Sequence, residues 1–206
     1  MKSFAQYNED KIIIDLFFKK NIKDGVFIEF GAWDGVHLSN CKLLSDHNWS
    51  GFFIEGNSLR FEECKKNYKH NNKIKVLNKF IDEKYTLNDL IKENNIDKID
   101  VLSIDIDGKD LTELKRLTLV KPKVIVIEYN STIPFDVECE DDIGGNGSSY
   151  LSINNHLSKN NYELINFTVC NLIFIEKDFN QKENKKVEVF EMIEKLKPIR
   201  FGFNNF

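Results

Sequence analysis

Apolar residues along this chain gather into short runs separated by longer segments with helical spacing. The runs fall at 26–30, 51–55, 75–81, 100–105 and 123–128, the last being the most β-branched and following Pro122. They lack a clean in–out alternation, as expected of strands covered on both faces. Between them, 39–47, 59–70, 86–95 and 110–119 carry apolar residues at helical intervals. Strand alternating with helix predicts βαβ units, a parallel sheet and right-handed crossovers. Ahead of the first strand, Ile12, Ile13, Leu16 and Phe17 predict a helix over 8–20 packed across the sheet. After residue 130 the pattern changes to a polar loop over 131–149, with Glu138, Glu140, Asp141, Asp142 and a Gly144-Gly-Asn-Gly147 stretch. A helix near 148–160 follows. The runs 162–167 and 171–176 are then too close for a crossover helix, so they must pair antiparallel. The expected fold is α/β: a mostly parallel seven-stranded sheet with a C-terminal antiparallel hairpin and helices on both faces.

A chain of 206 residues with three prolines and no Gly/Ser-rich linker reads as one domain. Within 1–206 the expected parts are a helical N-terminal cap over 1–24, the loop 131–149 and a C-terminal tail over 177–206. A structureless loop of that length is unusual unless it has a job. Its place after the fifth strand favours a substrate lid over a disordered insertion. The net charge of −4 argues against a nucleic-acid partner, and Lys65, Lys66 and Lys69 read as a solvated helix face. Cysteines 41, 64, 139 and 170 have no metal-site spacing. Reduced thiols, no secretory leader and no 18-residue apolar run predict a cytoplasmic protein without a membrane span.

Chemistry enters at the strand ends, where α/β sheets bind ligands. The first run leads into Glu29-Phe-Gly31-Ala32-Trp-Asp34-Gly35. This is an acidic-x-Gly-x-x-x-Gly turn, not the Gly-x-Gly-x-x-Gly that lets a pyrophosphate approach backbone amides. Acidic flanks repel a pyrophosphate and suit a ligand carrying an ammonium and a sulfonium, as S-adenosylmethionine does. Glu55, 24 positions after Gly31, ends the second run and can accept bonds from ribose hydroxyls. Asp82 can accept from an adenine amino group, or simply cap the helix that follows.

A second constellation is Ser103-Ile-Asp105-Ile-Asp107-Gly108, with Glu128-Tyr-Asn130 beside it. Neighbouring fourth and fifth strands would bring Asp105, Asp107, Glu128 and Asn130 together. Carboxylates so close raise one another's pKa or demand a cation. All-oxygen donors select Mg²⁺ or Mn²⁺. An alcohol with a pKa of roughly 16 is a poor nucleophile towards a methyl sulfonium, and a divalent ion acidifies and orients it. A nearby carboxylate can then take the proton. Asp105, Asp107 and Glu128 are therefore the candidate catalytic set, and Asp107 can serve as ligand or as base. The plainer alternative is that Asp107-Gly108 turns the chain and Asp110 caps the next helix. The layout is similar to that of catechol-type methyltransferases.

At these residues the sequence resembles the FkbM-like S-adenosylmethionine-dependent methyltransferases, in particular a bacterial branch acting on surface saccharides. The resemblance rests on Gln6-Tyr-Asn-Glu-Asp10, 26–35, 103–108, 124–130, Gly147-Ser-Ser and 159–162. It implies a Rossmann-like class I methyltransferase fold and O-methylation of a sugar hydroxyl, on an activated sugar or heptose, in capsule or lipopolysaccharide assembly. It also implies that Gln6 folds over the cofactor. The loop 131–149 and the tail after 180 depart from the family pattern. His156 reads as a satisfied, partly buried histidine rather than a base. His37 reads as a bystander, and Trp33 packs against either the cofactor or the first helix. The Phe-rich 200–206 stretch suggests a homodimer contact. A NAD-linked oxidoreductase is disfavoured by the missing Gly-x-Gly-x-x-Gly and Tyr-x-x-x-Lys. A non-catalytic cofactor-binding subunit is disfavoured by the acidic strand tips.

Overall fold

The structure, a computed structural model, describes residues 1–140 and 147–200, with the backbone alone for 197–200. Four βα repeats and a fifth strand are preceded by helix α1 (Glu9–Lys19) and run β1 (Val26–Phe30), α2 (Lys42–Asp46), β2 (Ser50–Ile54), α3 (Ser58–Tyr68), β3 (Ile74–Leu77), α4 (Leu87–Asn94), β4 (Val101–Ile104), α5 (Asp110–Arg116) and β5 (Val124–Glu128). Then follow α6 (Tyr150–Lys159), β6 (Tyr162–Phe167), β7 (Asn171–Glu176), α7 (Lys177–Asn180) and α8 (Val189–Arg200). The seven strands lie in the order β3-β2-β1-β4-β5-β7-β6. The first five pair parallel, and β7 pairs antiparallel with both β5 and β6. The sequence of the strands reverses direction between β1 and β4, which is where such sheets bind ligands.

Each strand feeds two cores. Phe27, Phe53, Val101, Val126 and Ile173 pack under α1, α2 and α3, and Ile28, Ile54, Leu102, Ile125 and Phe174 pack under α4, α5, α6 and α8. Successive strand positions are thus mostly apolar rather than alternating, and each side chain that is fully buried contributes roughly 1.5–3 kcal/mol. No described helix is long and apolar enough to cross a membrane.

The boundaries depart from expectation where polar groups intervene. The run 75–81 stops as a strand at Leu77 because the Asn78 amide donates to the carbonyls of Glu55 (2.8 Å) and Gly56 (3.1 Å), turning the chain over the end of β2. Helix α5 stops at Arg116 because Asn88 Oδ1 accepts from the amides of Thr118 and Leu119. Helix α4 begins where a capping box between Thr86 and Asp89 sets it. The segment expected as a tail carries α7 and α8 instead. Met192 and Leu196, one turn apart, are buried together with Val187. The 201–206 stretch, on which the dimer expectation rests, lies outside the described residues, as do Asp141, Asp142 and Gly144.

Where β1 and β4 end, their loops touch. Gly31 has a φ of 65°, and a Cβ built on it would sit 1.7 Å from the Asp105 carbonyl oxygen. Alanine there would face a left-handed backbone and a collision with main chain that cannot swing aside. Gly31→Ala should cost about 3 kcal/mol, read as a lowered denaturation midpoint with an unchanged m-value.

Candidate active site

The loops after β1 to β4 and the tip of β5 surround a cavity of about 880 Å³ lined by residues from Glu29 to Glu128. That is near the upper end of the range for small-molecule sites. Its floor is the β1 turn. Glu29 is 4% exposed and accepts from Ser39 Oγ (2.6 Å), the Asn40 amide (2.8 Å) and the Cys41 amide (3.3 Å). Burial pushes its pKa up to about 7, against the pull of those bonds. Its oxygens fasten the 39–41 loop, which is why α2 starts only at Lys42. Gly31 and Ala32 line the cavity beside it. Asp34 does not. Its Oδ1 accepts from the amides of Val36 and His37, holding the turn from outside.

On the β2 side, Glu55 accepts from the Trp33 amide (2.8 Å, Oε2) and the Asn57 amide (2.7 Å, Oε1). Each oxygen keeps a lone pair, so the locked carboxylate can still accept from a diol. Asp82 also lines the cavity, and its Oδ1 accepts from the amides of Lys84 and Tyr85, which hold its pKa below the usual carboxylate range. Asp82 thus closes a turn and lines the cavity, while the cap of α4 is Thr86 and not Asp82.

At the far side Asp105, Asp107 and Glu128 present carboxylate oxygens within 4.8 Å of one another. No other three His, Cys, Asp or Glu side chains converge in this way among the described residues. Asp105 opens onto the cavity yet is ringed by protein. Desolvation first, then the charges of Asp107 and Glu9, push it up to about 6. Glu128 reaches about 8 through desolvation and then the charges of Asp105, Asp110 and Asp107. Asp110 is buried and accepts from the amides of Ile106 (2.9 Å) and Gly108 (3.1 Å). It sets the loop that holds Asp107 at a φ of 55°.

Two expected members stand apart. Asn130 gives its Oδ1 to the amide and hydroxyl of Thr132, and its own amide to the Ser148 carbonyl. It fixes the start of the 131–149 loop and does not line the cavity. Gln6 is exposed, with Cys170 Sγ 3.7 Å from its Oε1, and is also off the wall. Its neighbour Ala5 does reach the rim, bridging to Leu38. That strap is anchored by two fully buried acids absent from the expected site. Asp10 accepts from Ser3 Oγ and the Phe4 amide, and Glu9 from the Tyr7 amide, Thr168 Oγ1 and Asn171 Nδ2. Two acids at the head of an apolar helix were the sequence signal for them.

The described part of 131–149 does not line the cavity. It is tied to α6 by Cys139, whose amide donates to Ser149 and Ser152, and to α5 by the Lys115–Glu140 ion pair. His156 is half-buried and does not line the cavity, and burial followed by the Lys115 charge lowers its pKa. Trp33 and His37 do line the cavity, as do Arg60, Lys79, Phe80 and Lys109. The last four went unread in the sequence, although each follows a strand end by a few residues.

Comparison with known proteins agrees with this arrangement. The sequence model described as the methyltransferase FkbM domain matches residues 38–164. No curated protein matches the chain in sequence. Among solved structures, a protein assigned as a caffeoyl-CoA O-methyltransferase from Staphylococcus aureus is similar with a TM-score of 0.54 at 16% identity, covering 81% of this chain and 82% of its own. The N-terminal domain of EvdMO1, solved in the presence of SAH and D-fucose, gives 0.50 at 11%, covering 84% of each. M. capricolum TrmK with its cofactor product S-adenosyl-homocysteine gives 0.51 at 14%, covering 84% and 68%.

Glu29, Asp105, Asp110 and Glu128 all sit above their ordinary pKa values, at about 7, 6, 7 and 8. The native state therefore holds more protons than the unfolded chain between about pH 4 and 8. Their contribution to stability is full below that window and is lost as pH rises through it. The ligand-free protein should melt at a lower temperature at pH 8 than at pH 5.5. Glu29→Gln should flatten that slope in a thermal-shift series.

Proposed function

The chain belongs to the FkbM-domain methyltransferases, and from that premise we propose that this S-adenosylmethionine-dependent enzyme methylates a sugar hydroxyl with the help of a divalent cation. The proposed setting is bacterial capsule or lipopolysaccharide assembly, on an activated sugar or heptose. The observation that carries the reading is the meeting of Asp105, Asp107 and Glu128 at one side of the same cavity that Gly31, Ala32 and Glu55 line.

S-adenosylmethionine, when bound, supplies the methyl group as an electrophilic sulfonium. Glu55 would accept from the ribose hydroxyls and Asp82 from the adenine amine, while Gly31 and Ala32 let the ligand approach the main chain. The cation fits this donor set. Three carboxylates share one corner, two of them with raised pKa values, and positive charge would relieve that repulsion. Asp105, Asp107 and Glu128 would hold Mg²⁺ or Mn²⁺, which lowers the pKa of an acceptor hydroxyl. A carboxylate of this set, Asp107 in particular, would take the hydroxyl proton. The sugar acceptor is supported by the resemblance to the saccharide branch and, at the level of fold alone, by the D-fucose present with EvdMO1. The missing pyrophosphate loop and the family match leave the NAD-linked alternative without support.

S-adenosylmethionine and SAH, but not NAD, should raise the melting temperature, and Glu55→Gln should weaken SAH about tenfold. Methyl transfer across a panel of nucleotide-activated sugars and heptoses, followed by mass spectrometry, tests the acceptor. Activity should vanish in EDTA and return with Mn²⁺ or Mg²⁺; full turnover in the chelator would sink the cation. In Asp107→Asn, metal affinity kept with turnover lost assigns Asp107 as the base.

A further inference from the structure

The loop between Gly31 and Asn40 holds apolar side chains open to the cavity at a conformational cost. Trp33 has a φ of 51° and Leu38 a φ of 58°. Bulky residues rarely occupy this region, and such strain persists only where the surroundings enforce it. Here they do. Glu29, Asp34 and the Ala5–Leu38 bridge pin the loop, and Tyr68 Oη donates to the Gly35 carbonyl at 2.6 Å. Despite that scaffolding, Trp33 stays 46% exposed and Leu38 48% exposed, and both line the cavity. His37 lies between them, its ring 6.4 Å from the indole.

We propose that Trp33, His37 and Leu38 form the acceptor shelf, seating the CH face of a pyranose ring so that its hydroxyls turn towards Asp105, Asp107 and Glu128. The proposal rests on the sugar reading above and adds the subsite that reading lacks. Position supports it. The Trp33 amide is bonded to Glu55 at the cofactor side, whereas Leu38 bridges to the strap that Gln6 and Glu9 tie to residues 168–171 near the end of β5. The shelf thus shares one cavity with Glu55 and with the carboxylates of Asp105, Asp107 and Glu128. Its chemistry fits as well. The Arg60 guanidinium lies 4.2 Å from the Trp33 ring centroid and takes one face of the indole. The indole is otherwise 46% exposed, and its electron-rich surface suits polarised C–H groups. An open shelf beside polar groups suits a ring with one apolar face better than a flat aromatic, which seeks an enclosed apolar slot.

The chain has two tryptophans, and Trp49 is 0% exposed, so iodide quenching reports on Trp33 alone. The experiment saturates the protein with SAH, verified by thermal shift, and then titrates D-fucose, methyl α-D-mannopyranoside and, as a control, catechol. The expected result is that Trp33 remains quenchable with SAH and is shielded by the sugars but not by catechol. Leu38→Asn, which tolerates the left-handed backbone, should keep the SAH shift and raise the sugar dissociation constant about tenfold. Complete shielding by SAH alone overturns the shelf and makes Trp33 a cofactor cover. SAH binding without sugar shielding also overturns the shelf while leaving the cofactor assignment standing. Failure of SAH to bind at all sinks the proposed function and the shelf together.

Discussion

The whole site depends on how closely the ends of β1 and β4 can approach. The Gly31 backbone lies against the Asp105 carbonyl in a gap that admits no side chain. Because the two strands are direct neighbours in the sheet, this contact fixes the spacing between the turn proposed to cradle the cofactor and the first of the clustered carboxylates. Nothing downstream can compensate for a change there. The 39–41 loop hangs from Glu29, and the 105–108 loop from Asp110, so both are referenced to the same two strand ends.

Burying carboxylates to hold loops has a price in charge. Glu29 and Asp110 spend their oxygens on main-chain amides, and burial raises their pKa values to about 7. Asp105 and Glu128 sit in the field of their acidic neighbours. Hydrogen bonds hold Glu29 and Asp110 in place, and a positive ligand beside Asp105 and Glu128 would relieve the repulsion there.

The strands were legible because a doubly covered sheet writes continuous apolar runs, and the hairpin because residues 168–170 leave no room for a crossover. The same rule misled at 75–81. Phe80 and Ile81 lie past the strand and line the cavity, Ile81 packing into the core as well, and a periodicity argument cannot separate those roles. Asp105, Asp107 and Glu128 were readable from their places at strand tips. Asn130 was not, because its fate depended on Thr132, a neighbour that offers it a closer bond than the cluster does. Glu9 and Asp10 show in the sequence as two acids at the head of an apolar helix, but their role as anchors depends on partners as far away as Asn171. Helix α8 escaped because Met192 and Leu196 stand among charged residues, so two apolar positions a turn apart drew little notice.

The sides of the sheet far from the ligand edge bear on how the chain survives its own synthesis. Parallel pairing brings together residues distant in sequence, which makes folding slow and leaves strands unpaired for longer. At one border, β3 is only four residues long and carries Lys75, with Lys73 and Lys79 to either side of it. At the other, the Val187 amide donates to the Leu164 carbonyl at 2.8 Å, covering one position on the outer margin of β6. Short length, charge and a covering segment are the means by which sheet edges resist pairing with an incoming strand. The sheet therefore carries these devices on its borders, apart from the end where the acid-lined mouth opens.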